Sequence, residues 1–335
     1  MAYLARRKRA FYLILTFAVF FLVLVTILFA LSTWTMAPSF WKTQVATKSA
    51  KPSREAFSFL VFGDSGVGSA EQRQLANLMG KEDFDFILHT GDLAYQAGTQ
   101  AEIQTNVLEI YKNLFEKHPF YPTLGNHDYG TANAEPYLNT WALPAQALND
   151  QDQKRYYSFD RGGGHFVSLD SNAPLEANDA TSEKDMFDWL RSDLAKARAK
   201  QDEWLIVYFH HPPFSSGKNH GEDKRVQEKL VPIFEDYGVD LVLSGHEHNY
   251  ERTCPINISK TGKTCTSSKE GITYIVSGGG GNRLYGFNQE KSWFTQTRAS
   301  LYHFLKIRID GCNLTQEAID INQQVIDTFG ISKCN

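Results

Sequence analysis

Short apolar runs recur along this chain, and each stops abruptly on polar residues, usually behind a glycine. They are FSFLVFGD (57–64), FDFILHTGD (84–92), FYPTLGNHD (120–128), EWLIVYFHH (203–211), VDLVLSGHEH (239–248) and GITYIVSGGGG (271–281). Stretches with helical spacing lie between several of them: SAEQRQLANLMGKE (69–82) with Ser69 as its cap, a region about 100–117, and SEKDMFDWLRSDLAKARAK (182–200). Strands that read as continuous apolar runs are covered on both faces. Their alternation with helices predicts an α/β layered domain over 56–335, whose ligands gather at the carboxyl ends of strands. YYSFDRGGGHFVSLDSN (156–172) reads as two strands around a glycine turn, and the tail, YHFLKIRIDG followed by LTQEAIDINQQVIDTF, alternates like a closing hairpin.

The amino-terminal residues stand outside this pattern. Arg6-Arg7-Lys8-Arg9 precede an uncharged stretch from Phe11 to Leu31, and ~20 apolar residues span a bilayer core. A cleaved signal has a shorter apolar region, ~7–15 residues. We therefore expect a cytoplasmic basic tail (1–10), one transmembrane signal anchor (11–33) and a linker (34–55), with cleavage near TMAPS as the rival. The body would be exported to a cell surface, a periplasm or a secretory or lysosomal lumen, or secreted if the anchor is cleaved. Residues 1–35 hold four basic and no acidic residues, so the net charge of −4 becomes −8 for the exported part. That balance argues against a nucleic-acid partner.

The four cysteines fit export. None forms a CxxC pair, so a zinc knuckle or redox motif is not expected. Of the three possible connectivities we favour Cys254–Cys265 and Cys312–Cys334, since each brackets a short loop or hairpin; free buried cysteines are the alternative. Two sequons, at Asn257 and Asn313, would make the chain a glycoprotein in a eukaryotic secretory pathway.

Five strand ends carry chemistry: GDSG (63–66), GDLAY (91–95), GNHD (125–128), VYFH (207–210) and GHEH (245–248). Each alone is weak, since Asp or Asn after Gly is ordinarily a turn residue and a lone His210 ordinarily a packed core histidine. Coincidence at five strand ends points to a metal site. Carboxylates, an amide oxygen and imidazoles without thiolate suit hard or borderline cations. There are more donors than one ion uses, and two ions ~3.5–4 Å apart are the usual arrangement for phosphoester hydrolysis.

In this order the blocks resemble the metallophosphoesterase superfamily, and specifically the purple acid phosphatases, whose pattern is GDxG, GDxxY, GNH(D/E), VxxH and GHxH. The resemblance covers roughly 56–310, and the chain looks more like the small, tartrate-resistant type than the large plant enzymes. It implies a four-layer β-sandwich flanked by helices. Ordinary metallophosphoesterases carry a histidine two residues after the first aspartate; Gly66 stands there, and Tyr95 can supply the missing donor. Carried over by position, Asp64, Tyr95 and His248 would bind Fe(III), Asn126, His210 and His246 would bind a divalent ion (Fe, Zn or Mn), and Asp92 would bridge.

The implied activity is that of an acid phosphatase, hydrolysing phosphate monoesters with a hydroxide held on the metals. His127 and His220 are the candidates to protonate the leaving alcohol. His211 is left out as a packing residue, and His89, His118, His165 and His303 have no motif context. Asn249 and Tyr250 follow the last ligand and are expected near the pocket. The glycines of SGGGGNRLY (277–285) would let backbone approach a phosphate, or form a flexible turn. A monomer is expected. Two other readings stay open: a phosphodiesterase or nucleotide hydrolase with a plain divalent pair, and an anchored receptor without activity, which would predict a missing ligand.

Overall fold

The computed structural model describes residues 55–172, 180–200 and 204–334. The expected basic tail, anchor and all but the end of the linker lie outside them. No helix among the described residues is long and apolar enough to cross a membrane.

The strands are β1 (Phe57–Phe62), β2 (Phe86–His89), β3 (Phe120–Pro122), β4 (Tyr157–Arg161), β5 (Gly164–Ser168), β6 (Trp204–Tyr208), β7 (Leu241–Ser244), β8 (Tyr250–Thr253), β9 (Thr273–Ser277), β10 (Thr295–Ala299), β11 (His303–Asp310), β12 (Asn313–Asp320) and β13 (Val325–Ser332). The main helices are α1 (Ala70–Met79), α2 (Ala180–Lys200) and α3 (Lys224–Tyr237). One sheet has the order β13-β12-β11-β1-β2-β3 and the other β10-β8-β9-β7-β6-β5-β4. β1, β2 and β3 run parallel in the first sheet, and β5, β6, β7 and β9 in the second. The tail is a three-stranded antiparallel meander rather than a hairpin, because INQQ turns the chain once more into β13.

The two sheets face each other across a core of large side chains. Phe59 stacks on Phe86 at 5.0 Å, and Phe166 from the other sheet meets both edge-on. Burying each such ring contributes about 1.5–3 kcal/mol. A second core lies between the outer face of the second sheet and α2 and α3, where Leu190, Leu194, Leu230 and Phe234 meet Leu205, Val207 and Val242. On the first sheet's outer face Phe62 packs against Tyr111, from the helical stretch 100–115. Helices thus cover both sheets, giving the expected layered sandwich.

Local signals explain the helix ends. Ser69 accepts from Gln72 N at the start of α1, and Asp223 accepts from Arg225 N and Val226 N at the start of α3. Gly238, at φ 64°, ends α3 in the left-handed conformation that glycine tolerates. Both favoured disulfides, Cys254–Cys265 and Cys312–Cys334, are formed. At the sequons, Asn257 is buried with Nδ2 donating to Glu270 O, whereas Asn313 is exposed at the start of β12.

One buried ionic cluster lies away from the strand ends. His165 on β5 sits between Asp160 (2.6 Å) and Asp193 (2.8 Å). Burial lowers its pKa, but the two carboxylates outweigh burial and raise it from 6.5 to about 9. A raised histidine stabilises the fold fully below its unfolded pKa and ceases to do so as pH passes its folded one. Thermal stability is therefore expected to fall between roughly pH 6.5 and 9, by at most about 3 kcal/mol, and His165→Gln should flatten that part of a Tm-against-pH curve. An equal slope in both proteins would show that the pair carries no such linkage.

Candidate metal centre

The parallel strands of both sheets end on one edge, and the loops leaving them meet there. Asp64 follows β1, Asp92 and Tyr95 follow β2, Asn126 and His127 follow β3, His210 follows β6, and His246 and His248 follow β7. Asp64, Asp92 and His246 have φ of 56°, 54° and 70°. A non-glycine residue held there costs on the order of 1–3 kcal/mol, and such strain concentrates at functional sites.

The side chains converge in two groups that share one atom. Tyr95 Oη lies 3.2 Å from Asp64 Oδ1, 3.2 Å from His248 Nε2 and 3.0 Å from Asp92 Oδ2. His210 Nε2 lies 3.1 Å from Asn126 Oδ1, 3.1 Å from His246 Nδ1 and 3.4 Å from the same Asp92 Oδ2. The other oxygen of Asp92 turns away and accepts from His127 N at 2.8 Å.

The chemistry of this donor set fits cations. His210 Nδ1 faces Thr90 O at 2.9 Å and His248 Nδ1 faces Arg283 O at 2.8 Å. A carbonyl only accepts, so both protons sit on Nδ1 and both Nε2 lone pairs point inward. They meet carboxylate and amide oxygens, which also carry lone pairs, and the Tyr95 hydroxyl has one proton for three acceptors. Burial raises the Tyr95 pKa well above the usual phenol value, and Asp92 and Asp64 raise it further, so this phenol ionises only beside a cation. At His210 burial works against a second proton, yet Asp92 and Asp64 lift the pKa to about 9. Positive charge belongs in this cluster. Asp64, Asp92 and His210 lie close enough to share an ion, and so do His210, His211 and His246, but His210 has one free lone pair and would serve only one ion.

Gly66 and the loop of Tyr95 pack directly against each other. A Cβ at position 66 would lie 1.7 Å from Leu93 O, because the loop carrying Tyr95 packs directly on that residue. Tyr95 N also donates to Gly66 O at 2.9 Å. The loop that delivers the phenol occupies the space a side chain at 66 would need.

His127 and His220 flank the two groups. The His127 ring lies 4.5 Å from that of Tyr95, with Nδ1 2.6 Å from Gln96 O. The His220 ring lies 4.0 Å from that of His246 and 5.6 Å from that of Tyr285. His89 is a buried support, with Nε2 3.0 Å from Ser65 Oγ and Gly91 N donating to Nδ1 at 3.2 Å.

One expectation changes. Tyr250 does not line the pocket: its side chain lies in the inter-sheet core and donates to Asp327 at 2.6 Å. Asn249 is fully buried, as Asp64 and His210 are. In the glycine run Gly278 N and Gly280 N donate to Asn249 O and Gly63 O, and Asn282 N just after it donates to Asp64 O, so these three amides are already engaged. Tyr285 at its end stacks on His248, 3.9 Å apart and 9° from parallel.

One contributor went unread in the sequence, and another was set aside there as a packing residue. Asp128, buried, accepts from Asp92 N, Leu93 N and Gly125 N, tying the second and third blocks together. Burial and the nearby Asp92 raise its carboxyl to about 8. His211 lies 4.4 Å ring to ring from His246, with Nδ1 2.8 Å from Ser171 Oγ. Its position beside His210 was the available signal.

Comparison with known proteins agrees with this geometry. A family model described as calcineurin-like phosphoesterase matches residues 57–250. Purple acid phosphatase 21 of Arabidopsis thaliana is 33% identical over 77% of this chain, which spans 58% of that relative's length. Purple acid phosphatase 4 of the same plant is 26% identical over 93% of this chain and 94% of its own. Among solved structures, the purple acid phosphatase PPD1 of yellow lupin superposes with a TM-score of 0.71 at 24% identity, covering 83% of this chain and 54% of that one.

Proposed function

Since the chain belongs to the calcineurin-like phosphoesterase family and, within it, to the purple acid phosphatases, we propose that it hydrolyses phosphate monoesters at acidic pH. The observation that carries this reading is the sharing of Asp92 Oδ2 by two inward-facing donor groups. Asp64, Tyr95 and His248 would hold Fe(III), Asn126, His210 and His246 a divalent Fe, Zn or Mn ion, and Asp92 both. When bound, such a pair acidifies water and neutralises the oxygens of a phosphate dianion.

The chain's own residues do the rest. Thr90 O and Arg283 O fix the tautomers of His210 and His248, so their lone pairs need no rearrangement before reaction. Gln96 O would accept from His127 Nδ1–H, so a second proton on the ring would sit on Nε2 and be the one donated to a substrate oxygen. His127 on one flank and His220 on the other would hand a proton to the departing alkoxide. The two disulfides suit an oxidising compartment, and we propose export of a monomer behind the anchor at 11–33.

The test is to assay purified full-length protein on an aryl phosphate monoester and the matching diester from acidic to neutral pH, alongside metal analysis. Monoester kcat/KM should exceed the diester value by more than about tenfold, with its maximum on the acidic side and two metals per chain, one of them iron. A diester preference with no iron would favour the divalent phosphodiesterase reading.

A further inference from the structure

Position 247, between the two histidines of GHEH, is filled by a glutamate with no exposed surface. Among the described residues it makes no ion pair with Lys or Arg. A buried carboxylate is expensive to keep unless strong hydrogen bonds compensate it. Its bonds are unusual in kind: Glu247 Oε1 accepts from His220 N at 2.5 Å and from Gly221 N at 2.7 Å. Both donors belong to the loop between β6 and α3, where Lys218, Asn219 and His220 are exposed. The contact is close enough to dictate sequence in the loop, since a Cβ on Gly217 would lie 2.2 Å from Glu247 Cδ. A second buried carboxylate, Glu251, holds the base of the same loop by accepting from Ser216 N at 2.6 Å and Ser216 Oγ at 2.7 Å.

We propose that Glu247 is a positioning residue that folds the 217–221 tip over the site and thereby sets His220 against His246. One oxygen gripping two successive amides fixes the peptide plane on which the His220 side chain is mounted. Charged acceptors make the stronger hydrogen bonds to backbone amides. This deepens the phosphatase reading and rests on it for its kinetic consequence, though not for the loop's hold.

The test compares full-length, metal-loaded wild type with Glu247→Ala, Glu247→Gln, His220→Ala and the Glu247→Ala/His220→Ala double variant. With trypsin, Glu247→Ala should be cut after Lys218 at least about tenfold faster than wild type, read as a new amino terminus at Asn219. With an alkyl phosphate, which needs a protonated leaving group, its kcat should fall about 10–100-fold. With a p-nitrophenyl ester, whose leaving group departs unaided, the fall should be much smaller. Adding His220→Ala should cost little more, and Glu247→Gln, which keeps an oxygen for both amides, should recover most of the loss. Unchanged cleavage at Lys218, equal losses on both esters, additive losses in the double variant, or loss of bound metal in Glu247→Ala would each overturn the proposal. A wild type with no phosphatase activity would sink the functional reading instead, and the trypsin comparison would still decide whether Glu247 holds the loop.

Discussion

Asp92→Ala is expected to lower kcat/KM by about a thousandfold or more and to reduce bound metal below two per chain. Removing one group that stabilises a transition state ordinarily costs about 10²–10³ in rate. Asp92 is worse placed than an ordinary group because both donor sets converge on its Oδ2, so each ion would lose a negatively charged neighbour at once. Its Oδ1 also holds His127 N, so the same change frees a proposed proton donor. The left-handed backbone at position 92 and the bond from its amide to Asp128 do not need the carboxylate, and the variant's Tm should show a folded protein. Metal analysis, a Tm measurement and a monoester assay on one preparation separate the causes. A folded variant with two metals and activity within about tenfold of wild type would sink the shared-carboxylate reading.

The contrast between what the sequence revealed and what it concealed has a physical origin. Asp64, Asp92, Asn126, His210, His246 and His248 each sit directly after a strand, where the run of apolar residues ends. A parallel sheet aligns those ends, so a linear reading recovers a three-dimensional cluster. The supports are different. Asp128 matters because it reaches back to amides 35 and 36 residues earlier, and Glu247 because it reaches amides 26 and 27 residues earlier. Asp128 stands in the last place of GNHD, yet nothing local at either position shows which amides the carboxylate clamps. Tyr250 failed for a related reason: alternation along β8 turns it towards β12 and β13, and their place beside β11 is a matter of topology that local pattern does not encode. The glycine run left two readings open in the sequence, because the partners of Gly280 N and Asn282 N, Gly63 O and Asp64 O, lie far back along the chain.

The Tyr95→Phe variant is expected to lose its visible absorption entirely while keeping its fold. The phenol is buried beside two carboxylates and one imidazole, and that environment opposes ionisation unless a strongly charged cation sits among them. If Fe(III) does, phenolate-to-iron charge transfer must colour the protein, and removing one oxygen must abolish the colour. Phenylalanine preserves the ring's contact with His127, so packing alone predicts little change in Tm. It leaves Asp64 and His248 able to hold a metal, so the variant should bleach without becoming wholly metal-free. A wild type that binds two metals and is colourless would assign the site to divalent ions only. Tyr95 would then be a neutral hydrogen-bond donor shared among acceptors, and the packing of its loop on Gly66 would reflect loop geometry rather than a replacement of one ligand by another.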